Sequence, residues 1–382
     1  MTMAENTFDA FQKARREEGA LDLKVGDETI PLILRFHDVR KAAKNWQTYS
    51  SDAPFRVPVP SQEDLRSVRQ LPIEVDPPQH KEYRAIVEPF FRRPTDPAYI
   101  AKIEALIDQH LDEAIARDSL DVANEFALPL QSKSLTLLLG VPIDHADLFI
   151  SWGNDVLRVD PASASEELCD AYIEKQLDNA AENPGDDMFS ALNAAQYQGR
   201  HLTREEKIGF ANLVFAGGRD TIINFVTHTL AYLAQNRDAF ERLRDEPDLV
   251  TSATEEFVRV FSPLTFLGRV CPHGAEIHGH KIAPNDRAGL CWLSANMDET
   301  VFKEPEQVKL DRRPNPHVAF GSGTHNCLGA PQARLIMRTL LTKLPQRVSE
   351  LRILDSVASF EDWKVYRRQN GYKRLDMVFK GH

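Results

Sequence analysis

Phe320-Gly-Ser-Gly-Thr-His-Asn-Cys-Leu-Gly329 runs directly into Ala330, Pro331 and a helical pattern. Cys327 ends a glycine-punctuated loop at the point where that helix begins. The unpaired N–H groups and the dipole of a helix N-terminus favour an anion, and so a thiolate over a thiol. Gly321 and Gly323 let the backbone fold tightly and turn N–H groups toward the sulfur. Gly329 leaves space on the helix side for something flat and large, and Pro331 has no N–H to waste in the first turn. A phosphate loop would need Gly-x-Gly-x-x-Gly or a closing Gly-Lys-Ser/Thr, and neither is present. A structural zinc site would need a second pair to match His325-x-Cys327. A buried core cysteine is the plain alternative. The pattern suits a single soft ligand held out to a metal.

Outward from this loop, composition sets the class. The chain has 382 residues, 42% of them hydrophobic, enough for a large core. A net charge of −11 argues against a nucleic-acid binder, which would carry a basic stripe. Cys169, Cys271, Cys291 and Cys327 are widely spaced without a CxxC, which points to a reducing cytoplasm rather than a disulfide framework. The polar N-terminus has no signal or anchor character, and no segment reads as a membrane span.

Periodicity predicts helices over 8–18, from His37 through Lys44, and over 80–92, 97–117, 123–139, 236–245 and 248–261. Strand-like runs fall at Leu21–Val25, Thr29–Arg35 and 267–283, and a helix-like piece near 290–297. Residues 145–181 read as helical but interrupted. The irregular proline-rich stretch 53–79 has the character of a functional loop, and a second proline-rich stretch, 304–318, reads as a meander. The longest pattern starts at a Thr203/Glu206 capping box and runs to about Asn236. Apolar residues lie nearly all round it, so it reads as one buried central rod about 50 Å long. The fold class is mainly α with a smaller β-rich part (α+β), in a single domain over 1–382.

Ala216-Gly217-Gly218-Arg219-Asp220-Thr221 lies inside that rod. Each glycine costs roughly 1 kcal/mol relative to alanine in a helix interior. Close helix packing is one reason for the pair. The other is a distortion where a cofactor and a small ligand approach the backbone, with Asp220 and Thr221 placed to relay protons. Glu256-x-x-Arg259 is an acid–base pair at i, i+3, usually a surface ion pair. His80 and Arg84 share a helix face at i, i+4.

Taken in order, these motifs resemble the cytochrome P-450 family. The loop matches its haem-thiolate pattern Phe-x-x-Gly-x-x-x-Cys-x-Gly through Phe320, Gly323, Cys327 and Gly329, and the resemblance implies that Phe320, Gly321 and Gly329 lie against the cofactor. The glycine pair with Asp220-Thr221 resembles the oxygen-activation motif, with Gly217 against the haem and Arg219 at a variable position. Glu256 and Arg259 resemble the family's structural pair, completed by a meander arginine, either Arg312 or Arg313. His80, Arg84, Arg269 and His325 occupy the positions that bind haem propionates, and two arginines and two histidines suit two carboxylates.

The resemblance implies haem b, with Cys327 as iron ligand and Asp220 and Thr221 as catalytic residues. It implies a soluble cytoplasmic monomer, without an attached flavin or iron–sulfur domain, that takes electrons from a separate ferredoxin and ferredoxin reductase. The implied reaction is monooxygenation of a small, hydrophobic organic substrate by O2, as hydroxylation or oxidative dealkylation. A peroxide-driven peroxygenase and a non-catalytic haem-binding sensor are the alternatives, and Asp220-Thr221 weighs against both. The implied pocket draws on 53–75, 150–190, Leu213–Gly217 and Leu264–Leu267. Arg56, Arg66 and Arg69 are read as solvated rather than as a carboxylate receptor. Lys81, Arg84, Arg92 and Arg93 form a basic cluster where an acidic ferredoxin would dock.

Overall fold

Helix starts and stops follow the residues that mark them. Thr203 opens the helix Arg204–Gly218 with a capping box. Its hydroxyl accepts from the Glu206 N–H at 3.2 Å, and the Glu206 carboxylate accepts from the Thr203 N–H at 2.7 Å. Asp96 accepts from the Ala98 N–H at 2.9 Å ahead of Pro97, which begins the helix Pro97–Ile115. Gly140 ends Leu128–Leu139 in the left-handed region at φ 78°. These assignments come from a computed structural model that describes residues 5–152 and 164–382. The expected interrupted helix over 145–181 is seen as His145–Ser151 and Ala164–Glu182, and the part between 153 and 163 lies outside the described residues.

One expectation is corrected. The central rod is two helices, Arg204–Gly218 and Asp220–Gln235, broken at Arg219 with φ −97° and ψ −81°. Hydrophobicity all round a segment reports burial, which two consecutive buried helices satisfy as well as one. A smaller departure lies at 122–127, where the chain enters the helix Leu128–Leu139 through a wide π turn.

The β-rich part has two main sheets. Ala20–Val25, Glu28–Ile33, Arg287–Cys291 and Phe266–Val270 lie side by side in that order, antiparallel except for the parallel pairing of Glu28–Ile33 with Arg287–Cys291. Near the C-terminus, Val348–Trp363 and Tyr366–Gly381 form a long hairpin that adds Leu120–Asp121 as a third strand. The largest core cluster joins helix residues such as Phe126, Phe257 and Leu340 to Phe379 of the hairpin. This packing holds the helices on either side of the Cys327 loop in fixed positions. Among the described residues no helix is long and apolar enough to cross a membrane.

Candidate functional site

The Cys327 loop is shaped by two left-handed glycines, Gly321 at φ 76° and Gly323 at φ 73°. Gly323 is also sterically required, since a Cβ there would meet the Ala43 carbonyl oxygen at 2.6 Å. The Cys327 N–H donates to the Phe320 carbonyl at 2.8 Å and closes the loop. The Arg334 guanidinium lies 4.5 Å from the Phe320 ring centre and holds it against the following helix, Ala330–Arg347. Cys327 has accessible surface, but that surface faces a cavity of about 440 Å³. Burial therefore pushes its thiol pKa up, against the N–H groups of Gly329 and Ala330, Arg84 and Arg334, which favour the thiolate.

The cavity collects the expected residues from distant parts of the chain. Cys327, Phe320, Gly321 and Gly329 line one side with His325, while Gly217, Asp220 and Thr221 line it from the central helices. His80, Arg84 and Arg269 reach the same cavity. The His80 and His325 rings stand 4.3 Å apart, edge to face. Desolvation, with Arg84 beside it, lowers the His80 pKa to about 4. Desolvation and the neighbouring Arg269, His80 and Arg84 lower that of His325 to about 2. Burial also brings Arg269 down to about 10, although Asp76 lies near enough to oppose it. Arg84 donates to the Asn326 carbonyl at 2.7 Å and Arg269 to the Gly268 carbonyl at 2.7 Å. No described carboxylate forms an ion pair with Arg84 or Arg269, and the buried His325 Nε2 has no hydrogen-bond partner.

The break in the central helices is built from side chains. The Thr221 hydroxyl donates to the Gly217 carbonyl at 3.0 Å, and the Gln131 amide donates to the Gly218 carbonyl at 2.9 Å. The N–H groups of Ile222 and Ile223 both turn to the Arg219 carbonyl, at 3.1 and 3.2 Å. Arg219 itself is buried. It donates to the Phe149 carbonyl at 2.8 Å and lies 5.8 Å from the Trp152 ring centre. Sequence reasoning treated it as a variable position. A cation inside an otherwise apolar helical run was the signal available. A Cβ on Gly217 would meet nothing within 4 Å, so this stretch presents bare backbone to the cavity.

The family model described as Cytochrome P450 matches residues 159–349. The cytochrome P450 YjiB of Bacillus subtilis is 30% identical to this chain, over 82% of this chain and 80% of its own length. The chain belongs to the cytochrome P450 family. A steroid C26-monooxygenase of Mycolicibacterium smegmatis is also 30% identical, covering 84% of this chain and 80% of the relative. A solved structure described as a carbohydrate active P450 is 44% identical, covers 99% of this chain and 100% of its own, and superposes with a TM-score of 0.94. As a cytochrome P450 the protein is an oxidoreductase of a haem-thiolate monooxygenase family.

The residues present fit haem. Bare backbone at Gly217 and the open face of Gly329 lie on two sides of the cavity, and the orphaned His325 Nε2 with two buried or half-buried arginines supplies donors for carboxylates. Behind Cys327 the structural pair is complete. Glu256 and Arg259 are both fully buried and joined by two bonds of 2.8 Å. Of the two meander arginines, Arg312 joins them, its Nε 2.9 Å from both Glu256 oxygens, whereas Arg313 is exposed. Lys309 N–H and Asn315 also donate to Glu256. Burial raises the Glu256 pKa, but Arg259 and these other donors outweigh it and hold the carboxyl below its ordinary range. Sequence reasoning missed its neighbour Glu255, which binds Arg334 and Arg338 of the helix after Cys327 and also His317.

Two surface expectations are corrected. Arg66 is not solvated: it is buried and paired with Glu74 at 2.5 Å, because the proline-rich loop folds inward over the cavity. Arg69 pairs with Asp52 and donates to the Glu74 carbonyl, and Arg56 lies 4.0 Å from Glu28. The basic cluster is also dispersed. Arg93 turns inward to the carbonyls of Leu137 and Leu138, Arg84 faces the cavity, and Arg92 pairs with Glu88 one helical turn away.

Proposed function

We propose that this P450 inserts one oxygen atom of O2 into a small organic substrate, by hydroxylation or oxidative dealkylation. The observation that carries this reading is that Cys327 and the Asp220–Thr221 break line one cavity. The overall reaction consumes O2, two electrons and two protons and releases one water with the oxygenated product. Haem, when bound, supplies the binding and reductive activation of O2.

The chain's own residues supply the rest. Cys327 Sγ is the iron ligand, and the N–H groups of Gly329 and Ala330 direct their partial positive charge at it. His80, Arg84, Arg269 and His325 bind the two carboxylates of the group. It is haem b, held without thioether bonds, since Cys327 is the only cysteine among the described lining residues. Thr221 Oγ1 holds a proton-bearing water at the break, and Asp220 connects that position to solvent. Glu256, Arg259 and Arg312 keep the proximal side rigid.

Electrons come from a separate ferredoxin and its reductase. With Arg84 and Arg93 turned to other tasks and Arg92 shared with Glu88, exposed Lys81 is the member of the cluster left to meet an acidic partner. The setting is cytoplasmic and the protein monomeric. A reducing compartment accords with four cysteines that form no disulfide.

For the substrate, a second reading competes with the hydrophobic one expected from the sequence. The neighbour described as carbohydrate active shares 44% identity over 99% of this chain, and this favours a carbohydrate. The test is a reconstituted assay with ferredoxin, reductase and NADH, measuring NADH, product and peroxide together. NADH-dependent product formation is expected. Product from hydrogen peroxide alone, with none from NADH, would establish a peroxygenase. No turnover by either route would establish a sensor or carrier.

A further inference from the structure

The loop over the cavity carries two glutamines, Gln62 and Gln70, and each is held by a hydrogen-bonding neighbour. Arg66 can only donate. Its Nε donates to Gln62 Oε1 at 2.7 Å, so the Gln62 amide nitrogen faces away from it. The opposite sense holds at Gln70. Burial raises the Asp170 pKa, opposed by the bond it accepts at Oδ1 from the Asn212 Nδ2 at 3.2 Å. This turns Asn212 Oδ1 toward Gln70, whose Nε2 donates to it at 2.7 Å. Gln70 Oε1 is thereby left as an acceptor. The Gln70 backbone N–H is anchored separately, by Glu74 at 2.8 Å. Both glutamines line the cavity. The wall therefore offers one oriented donor and one oriented acceptor, and its charges are already cancelled, since Arg66 is neutralised by Glu74.

We propose that Gln62 and Gln70 select a neutral substrate bearing hydroxyl groups on a ring, with Gln70 accepting from a hydroxyl and Gln62 donating to an oxygen. This rests on the monooxygenase reading and names the substrate class for that same cavity. A carboxylate finds no uncancelled cation on this wall and would face the Gln70 oxygen. A hydrocarbon would leave the Gln62 Nε2 and the Gln70 Oε1 desolvated without a substrate partner, which is costly. A hydroxylated ring comes from two sources, a sugar or a sterol. Titration with glycosides and cholesterol as separate arms distinguishes the two. Asp170 and Asn212 act through Gln70 and are positioning residues.

The experiment titrates the haem-loaded protein with methyl glucopyranosides and galactopyranosides, cholesterol, camphor and decanoic acid, following the substrate-induced Soret shift. At least one glycoside binds more tightly than camphor or decanoic acid. Gln70→Leu weakens that glycoside about tenfold, as for one hydrogen bond at a desolvated acceptor. Asp170→Asn weakens it less, because Asn212 and Gln70 are then free to reverse. Imidazole affinity is unchanged in both, which separates a lost hydroxyl contact from general damage. Binding of cholesterol but no glycoside would overturn the sugar as source. Binding of camphor or decanoic acid alone, no binding of any compound, or a Gln70→Leu variant that binds glycoside as tightly as wild type, would overturn the proposal. Failure of the monooxygenase reading is distinct: it shows as no NADH-dependent product in the reconstituted assay, whereas failure of this inference leaves that product in place and changes only which compounds bind.

Discussion

Two groups of basic residues end differently, one buried around Glu256 and the other lining the Cys327 cavity. In the first, Arg259 and Arg312 converge on Glu256, whose oxygens are also met by Lys309 N–H and Asn315. On the cavity side, Arg84 and Arg269 donate to backbone carbonyls, and His80 and His325 crowd together with their pKa values driven down to about 4 and about 2. The first group contains its own anion. The second assembles positive charge and donors without a described carboxylate in an ion pair with its arginines. A complete buried network holds a fold together, whereas cations gathered without an internal counter-charge favour an anionic ligand. Cys327 lines the same cavity as the second group.

The comparison breaks most completely at the sulfur itself. Cys327→Ser is expected to abolish the long-wavelength Soret band of the ferrous–CO complex, and absorption spectroscopy reads this directly. Cys169, Cys271 and Cys291 are buried away from the cavity, so the Ala variant of each should keep the band.

On the complete side, Glu256→Gln leaves two buried arginines without their carboxylate. Removing one partner of a buried ion pair costs about 3–5 kcal/mol. Chemical denaturation should show that loss in the haem-free protein as well as the loaded one. Arg313→Ala, at an exposed position outside the network, should change stability little.

On the incomplete side the expected effect is smaller and of another kind. Arg84→Ala and Arg269→Ala should each speed haem release by roughly tenfold, equivalent to about 1.4 kcal/mol of binding. The stability of the haem-free protein should hold or rise, because a cation is removed from a like-charged cluster. Transfer of haem to an acceptor globin measures the first quantity, and urea denaturation of the apoprotein the second. If the apoprotein lost stability as severely as in Glu256→Gln, the distinction between the two groups would collapse.

Much of this arrangement was legible in residue order. The loop from Phe320 to Gly329, the Glu256–Arg259 pair and the cavity donors are short motifs whose chemistry depends on residue type and spacing. What sequence could not supply was partner choice across long separations. Arg312 and Arg313 are adjacent and identical in type, and only the path of the meander decides which one faces Glu256. Arg66 looked solvated because nothing local announces that Glu74 and the loop will fold inward with it. The central rod was read as one helix open to a distortion at Gly217–Gly218, and that the helix ends there was not legible because burial erases the polar face that would show it. Arg219 and the side-chain caps from Thr221 and Gln131 make the break, and those caps are tertiary or conformational facts.

That break carries the central claim, that protons are delivered at the cavity face of Asp220 and Thr221. Replacing Thr221 by Ala removes the hydroxyl that now donates to the Gly217 carbonyl, while Gln131 still caps Gly218. Fold, haem content and substrate affinity should change little. General acid assistance of this kind contributes typically about 10²–10⁴-fold, so its loss diverts reducing equivalents even when electrons still arrive. The decisive measurement is product formed per NADH, with hydrogen peroxide per NADH, for wild type and Thr221→Ala with one accepted substrate. NADH consumption that continues while product falls and peroxide rises is the predicted result. Unchanged product per NADH in Thr221→Ala would contradict the account and leave the break a structural feature of the helix.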